Sequence, residues 1–153
     1  MKKVFETDIQ HLSVELPCYA DARGRLVVAS SEDVRHPLPF DVRRTFWIKD
    51  VPQDMERGGH AHRTCDEVLV CLSGSMTLRL SNGRETAVYQ LHAAENDGEK
   101  ETGVLIPRMI WCELTDFSAD CIILCLASEA YDAQGYINSF GQYRKEVAEL
   151  SER

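Results

Sequence analysis

Turn-forming residues recur along this chain at intervals too short for long helices. They fall at Asp21-Ala22-Arg23-Gly24, Pro37-Leu38-Pro39, Val51-Pro52-Gln53-Asp54, Gly58-Gly59, Gly74, Asn82-Gly83 and Asn96-Asp97-Gly98. Between them lie eight short strand-like runs: 26–29, 45–48, 67–72, 75–80, 86–91, 103–106, 110–114 and 121–127. Met76, Leu78 and Leu80 alternate with Thr77 and Arg79, the period of a half-buried strand. Asn82-Gly83 supplies the positive backbone angles of a tight hairpin turn. Residues 68–72 are apolar without a break, so that strand is expected to be covered on both faces. Many short strands between turns predict an all-β sandwich or barrel. Helical character is confined to the tail, 140–152, where Tyr143, Val147 and Leu150 form one stripe. With 153 residues, a single domain with its core over about 16–143 is expected.

Charge narrows the partners. Seventeen Lys and Arg stand against 25 Asp and Glu, a formal charge of −8, which argues against general binding to a nucleic-acid backbone. An anionic ligand must therefore be held by a few placed arginines. Cys18, Cys65, Cys71, Cys112, Cys121 and Cys125 include no CxxC pair, and four sit in apolar or aromatic company, so they read as small buried hydrophobes. The first residues lack an apolar stretch of signal-peptide length, and no run approaches the roughly 18 apolar residues of a membrane helix. The expectation is a reduced, cytoplasmic protein without a membrane partner.

The most informative segment runs from Arg57 through Gly58, Gly59, His60, Ala61 and His62 to Glu67. On an extended strand His60 and His62 project from the same face. Two histidines, a carboxylate five residues on and Gly74 seven further have the spacing of the first cupin motif. Two imidazoles and a carboxylate suit a first-row divalent metal. The stretch that carries a further histidine in the second cupin motif reads 103–113 here and has none; Cys112 is its nearest substitute. Without a metal, an inward-facing histidine is a candidate general base, since an ordinary imidazole titrates at about 6.5. A second imidazole beside it disfavours double protonation. That pair suits removal of a proton next to a carbonyl.

Arg23, Arg43, Arg44, Arg57, Arg63 and Arg108 lie near turns or strand ends, and two or three guanidinium forks suffice for a pyrophosphate. Arg57 precedes the Gly-Gly-His run and Arg44 opens the strand carrying Phe46 and Trp47. Trp47, Phe46 and Trp111 could stack on a base, cover a sugar, or simply pack the core.

With these residues in view, the chain resembles the WxcM-like cupins, the sugar 3,4-ketoisomerase family. The resemblance runs from about residue 16 to 143. It rests on Asp21-Ala22-Arg23-Gly24-Arg25-Leu26, Pro39-Phe40-Asp41-Val42-Arg43-Arg44 and Arg57-Gly58-Gly59-His60-Ala61-His62-Arg63. Val68 to Ser75, Trp111-Cys112-Glu113, Asp116-Phe117-Ser118-Ala119-Asp120, Leu126-Ala127-Ser128, Tyr131-Asp132 and Tyr136-Ile137 complete it. It implies a cupin double-stranded β-helix (jelly roll), dimeric through exchanged N-terminal strands, with no cofactor and no required metal. It also implies conversion of dTDP-4-keto-6-deoxyglucose to the 3-keto sugar in deoxysugar biosynthesis. His62 would then be the base and His60 its partner. The substrate-binding candidates are Arg44, Arg57, Arg23, Trp47, Glu67, Arg108, Cys112 and Trp111. Three departures stand out: Phe46-Trp47 where the family often carries tyrosines, Glu67 where it usually has glutamine, and Cys112 where histidine or arginine is common. Two other readings stay open: a metal-dependent cupin using His60, His62 and Glu67, and a sugar-nucleotide binding module without turnover. A 3,5-epimerase on the same scaffold fits the motifs less well.

Overall fold

The computed structural model describes residues 3–95 and 99–152. The expected Asn96-Asp97-Gly98 turn lies outside the described residues. The N-terminal part forms a 3-10 turn (Val4–Glu6), β1 (Ser13–Glu15), β2 (Cys18–Asp21) and β3 (Gly24–Val27). Then come β4 (Arg44–Lys49), β5 (Arg57–His62), β6 (Glu67–Ser73), β7 (Ser75–Ser81), β8 (Thr86–His92), β9 (Thr102–Ile106), β10 (Trp111–Thr115) and β11 (Ile122–Ala127). A 3-10 turn (Ala133–Gly135), the two-residue β12 (Tyr136–Ile137) and helix α1 (Phe140–Ser151) close the chain.

The pairing is nested. β7 pairs β8 as a hairpin, and outside it β6 pairs β9, β5 pairs β10 and β4 pairs β11, all antiparallel. Folding such a nested hairpin over on itself gives the jelly roll, with two five-stranded sheets in the orders β1-β9-β6-β11-β4 and β12-β5-β10-β7-β8. The expected all-β fold with a short C-terminal helix is the one found. Met76, Leu78, Leu80 and Leu114 of one sheet meet Leu69, Val104, Ile106 and Ile123 of the other in one apolar core. Burying these side chains supplies the main driving force for closing the sheets.

β6 departs from the expectation of complete cover. Leu69 and Cys71 face the core, while Val68 and Val70 are covered outside by Leu16, Leu38 and Leu126. Leu72, further along the same outer face, lies outside that cluster and is 54% exposed. The β7–β8 turn also differs from a two-residue hairpin. It takes four residues, 82–85, and only Gly83 has a positive φ (92°). Asn82 instead buries its side chain, accepting from the amides of Arg84 and Glu85 and donating to the carbonyls of Phe5 and Thr7. It is a strut between the turn and the N-terminus.

α1 lies on the outer face of the β5–β10 sheet. Ser139 caps it by accepting from the amide of Gln142. The expected stripe is the buried one: Tyr143 and Val147 pack against Ala61, Met109, Trp111 and Ile137, with Leu150 at the margin. The alternation of β5 is thereby explained. Ala61 faces the helix, and a larger residue there would push it off, while His60 and His62 point the other way. Among the described residues no helix is long and apolar enough to cross a membrane.

Candidate active site

Gly58 and Gly59 mark a bulge inside β5. Cys112 is opposite His60 while Glu113 is opposite Gly58, so the ladder skips Gly59. Both glycines have positive φ (80° and 72°), and a Cβ on Gly58 would stand 3.1 Å from the Cys112 carbonyl. The bulge bends the strand just before the histidines. The end of β5 is held by the Met109 amide, which donates to the His62 carbonyl at 2.6 Å, and by the Arg63 amide, which donates to Gly135.

His60 and His62 meet edge to face, their ring centroids 4.9 Å apart. His62 is 4% exposed, and its Nε2 lies 3.2 Å from Glu67 Oε1. The angle misses hydrogen-bond geometry, so this nitrogen is buried with no hydrogen-bond partner among the described residues. A buried unpaired imidazole nitrogen is costly and stands ready for a ligand or a proton. Burial, followed by the neighbouring His62 charge, holds the His60 pKa below the ordinary imidazole value. His60 is thereby kept neutral at neutral pH.

Arg44 enters from β4. Its Nη2 lies 3.9 Å from Glu67 Oε2 and donates to the Tyr136 hydroxyl at 3.4 Å. Its guanidinium also sits over the rings of Phe46 and Tyr131, at 4.9 and 5.6 Å. Arg57, exposed at the start of β5, is near enough for its charge to act on His60 and on Cys125. Cys112 faces inward next to His60 and is 2% exposed, and burial pushes its thiol pKa far up. It stays a neutral thiol, a poor nucleophile and a poor ligand.

His62, Glu67, Arg44, His60 and Cys112 are thus brought together, with exposed Arg57 nearby. The other candidates have their own surroundings. Arg23 pairs with Asp21 at the tip of the β2–β3 hairpin, and Arg108 with Asp66 at 3.0 Å. Trp47 stands 61% exposed on the outer face of edge strand β4, opposite to Arg44 and Phe46. Trp111 packs against Phe140 and Tyr143 beneath α1.

Sequence reasoning passed over Tyr136 as a site residue. β12 places it directly opposite His62, with its ring 4.4 Å from that of His62 and 5.1 Å from that of His60. A two-residue strand has no periodicity to find, and the pairing spans more than 70 positions. The Phe46-Trp47 pair lacks a hydroxyl; Tyr136 supplies one from across the barrel. The small cavity beside the cluster is lined by Arg44, His62, Thr64, Glu129, Asp132 and Tyr136.

The donor atoms of His60, His62 and Glu67 all lie within 4.8 Å of one another, so these residues could hold a divalent cation. The Arg44 guanidinium beside Glu67 sets a positive charge against one.

A model of the FdtA family, described as WxcM-like, C-terminal, matches residues 9–148. The chain belongs to this family. It is 32% identical over 131 residues to the TDP-4-oxo-6-deoxy-α-D-glucose-3,4-oxoisomerase of Aneurinibacillus thermoaerophilus, a match covering 86% of this chain and 88% of that one. Its fold is similar to that of QdtA, a sugar 3,4-ketoisomerase from Thermoanaerobacterium thermosaccharolyticum solved with TDP. There the TM-score is 0.79 at 32% identity, over 90% of this chain and 93% of that one. A histidine-to-asparagine mutant of QdtA, solved with TDP-4-keto-6-deoxyglucose, also gives a TM-score of 0.79, at 31% identity over the same shares of the two chains.

Proposed function

We propose that this member of the FdtA family is a nucleotide-sugar 3,4-ketoisomerase acting on dTDP-4-keto-6-deoxyglucose. The observation that carries the reading is the buried, unpartnered Nε2 of His62 in a barrel whose relatives are 3,4-ketoisomerases. His62 takes the proton from carbon 3, which is acidic because it lies next to the 4-keto group. An enediolate forms, the proton on the carbon-3 oxygen passes to the carbon-4 oxygen, and a proton delivered to carbon 4 leaves the ketone on carbon 3. Glu67 offsets the positive charge that His62 gains. Neutral His60 donates a hydrogen bond to the intermediate.

Arg44 takes a different role from that expected. Enclosed by Glu67, Tyr136, Phe46 and Tyr131, it sits with the reacting groups, where its charge stabilises the enediolate. Arg57, exposed beside the cluster, remains for the diphosphate.

The homodimer expected from the family resemblance is retained. The β2–β3 hairpin joins neither main sheet, and it exposes Tyr19, Leu26 and Val27 by 50, 65 and 40%. A second copy exchanging its N-terminal strands would cover that apolar surface. Six free thiols suit the reducing cytoplasm.

The test is incubation with dTDP-4-keto-6-deoxyglucose in deuterated water, followed by NMR. Conversion to a 3-keto sugar carrying deuterium at carbon 4 is expected. An unchanged spectrum contradicts the proposal.

A further inference from the structure

Three ligating side chains meet where β5 ends and β6 begins. A donor atom from each of His60, His62 and Glu67 lies within 4.8 Å of the other two. We propose that this triad is an inhibitory site for zinc or a similar transition-metal ion, which silences the enzyme by occupying its base. The inference rests on the ketoisomerase reading above, since that is the activity the ion stops.

Geometry and burial carry it. Bonds of about 2.0–2.2 Å hold two ligands of a tetrahedral zinc ion about 3.3 Å apart. His62 Nε2 and Glu67 Oε1 already stand 3.2 Å apart, at an angle that makes no hydrogen bond. They are spaced for a shared ion rather than for each other. His62 is 4% exposed, and its Nε2 has no hydrogen-bond partner among the described residues, so a buried polar atom faces into the triad. His60 is half-buried, with its ring 4.9 Å from that of His62, and rotation of the ring brings a third nitrogen to the ion.

The donor set selects the metal. Two imidazoles and one carboxylate suit zinc, nickel or copper, whereas magnesium and calcium favour shells of oxygen. Glu67 faces two ways: Oε1 is turned to His62, while Oε2 stands 3.9 Å from Arg44 Nη2. The guanidinium weakens the site without filling it. With three protein ligands and an opposing charge, the ion stays removable by a chelator.

The ion and the reaction compete for one electron pair. His62 takes the carbon-3 proton on the lone pair of Nε2, and a metal bond uses that same pair. A zinc-loaded enzyme therefore has no base. Arg57 is exposed and is not one of the three ligands, so diphosphate binding is left in place.

The experiment strips the protein with EDTA, removes the chelator and titrates with zinc chloride or magnesium chloride. Binding is read by calorimetry, and turnover of dTDP-4-keto-6-deoxyglucose is read on the same samples. Zinc is expected to bind and to lower turnover at least about tenfold at saturation, and EDTA to restore it. Magnesium at the same concentration should do neither, and TDP affinity should stay within about threefold. Glu67→Gln and His60→Asn each remove one ligand, and thermal unfolding shows which of them is folded. Loss of an outer-shell partner alone costs about 10–100-fold in metal affinity, so each variant should bind zinc at least about tenfold more weakly. The exposed His11–Asp8 and His92–Glu99 pairs are untouched by either substitution, so zinc held there would keep its affinity. Absence of zinc binding, or an affinity unchanged in a folded variant, overturns the triad. Zinc that binds without lowering turnover, or that raises it, overturns the inhibition. Absence of turnover in the metal-free wild type marks the ketoisomerase reading as the failure, and the inhibitory role falls with it; calorimetry still decides whether the triad holds an ion.

Discussion

Arg63 and Glu146 form a two-pronged ion pair, with Nε and Nη2 each 2.9 Å from a carboxylate oxygen. The remaining nitrogen, Nη1, donates to the carbonyls of Gln134 and Tyr136. One side chain thus ties the end of β5, the backbone of β12 and helix α1 together. The pair holds the Glu146 carboxyl below the usual range. Arg63→Ala is expected to cost about 1–2 kcal/mol, discounted for partial exposure of the pair. Because it frees β12, it should also lower kcat more than it raises KM. Urea unfolding and steady-state kinetics check both. A variant as stable as wild type contradicts the clamp.

Gly74 joins β6 to β7 with a φ of +69°. A Cβ there would collide with the Ser118 hydroxyl, and would lie 2.6 Å from Asp120 Oδ1 and 2.8 Å from the Cys121 Cα. The last contact is backbone and cannot swing away. Gly74→Ala is therefore expected to lose about 2–3 kcal/mol, combining backbone strain with the clash. Denaturant midpoints measure this. A loss below about 0.5 kcal/mol would show that the connection tolerates a side chain.

His60 gives stability a pH dependence of known sign. Its pKa in the folded protein lies below the unfolded value of about 6.5, because burial and then His62 oppose its charge. Below that unfolded value the unfolded chain takes up a proton that the folded chain refuses, so stability falls with acidification. The fall continues until pH reaches the lower, folded pKa. Unfolding midpoints recorded from pH 7.5 to 5.5 should decrease, and His60→Asn should flatten the decrease. An identical slope in the variant would remove His60 as its source.

The strand pattern and the histidine pair were legible because both depend on neighbours in sequence. Met76, Leu78 and Leu80 turn inward by simple alternation, and the same period brings His60 and His62 together. Tyr143 and Val147 show their helical stripe for the same reason. What stayed hidden depends on pairing between distant segments. Gly58-Gly59 reads as a turn and is a bulge, because β10 supplies the opposing strand. Asn82-Gly83 reads as a hairpin turn, yet the Asn82 side chain is used by the chain around Phe5 and Thr7. Arg44 reads as a phosphate clamp, and its enclosure by Glu67 and Tyr136 comes from two strands far away in sequence. Tyr136 lies in a strand too short to show any period.

The proposed reaction turns on His62 as its base. Its most direct test is deuterium incorporation at carbon 4 of the sugar, followed by NMR in deuterated water for wild type and His62→Asn. The asparagine keeps a polar side chain of similar reach but cannot accept the proton, so TDP affinity is expected to remain within about threefold while incorporation falls by about 10²-fold or more. Incorporation at the wild-type rate in His62→Asn would contradict the account.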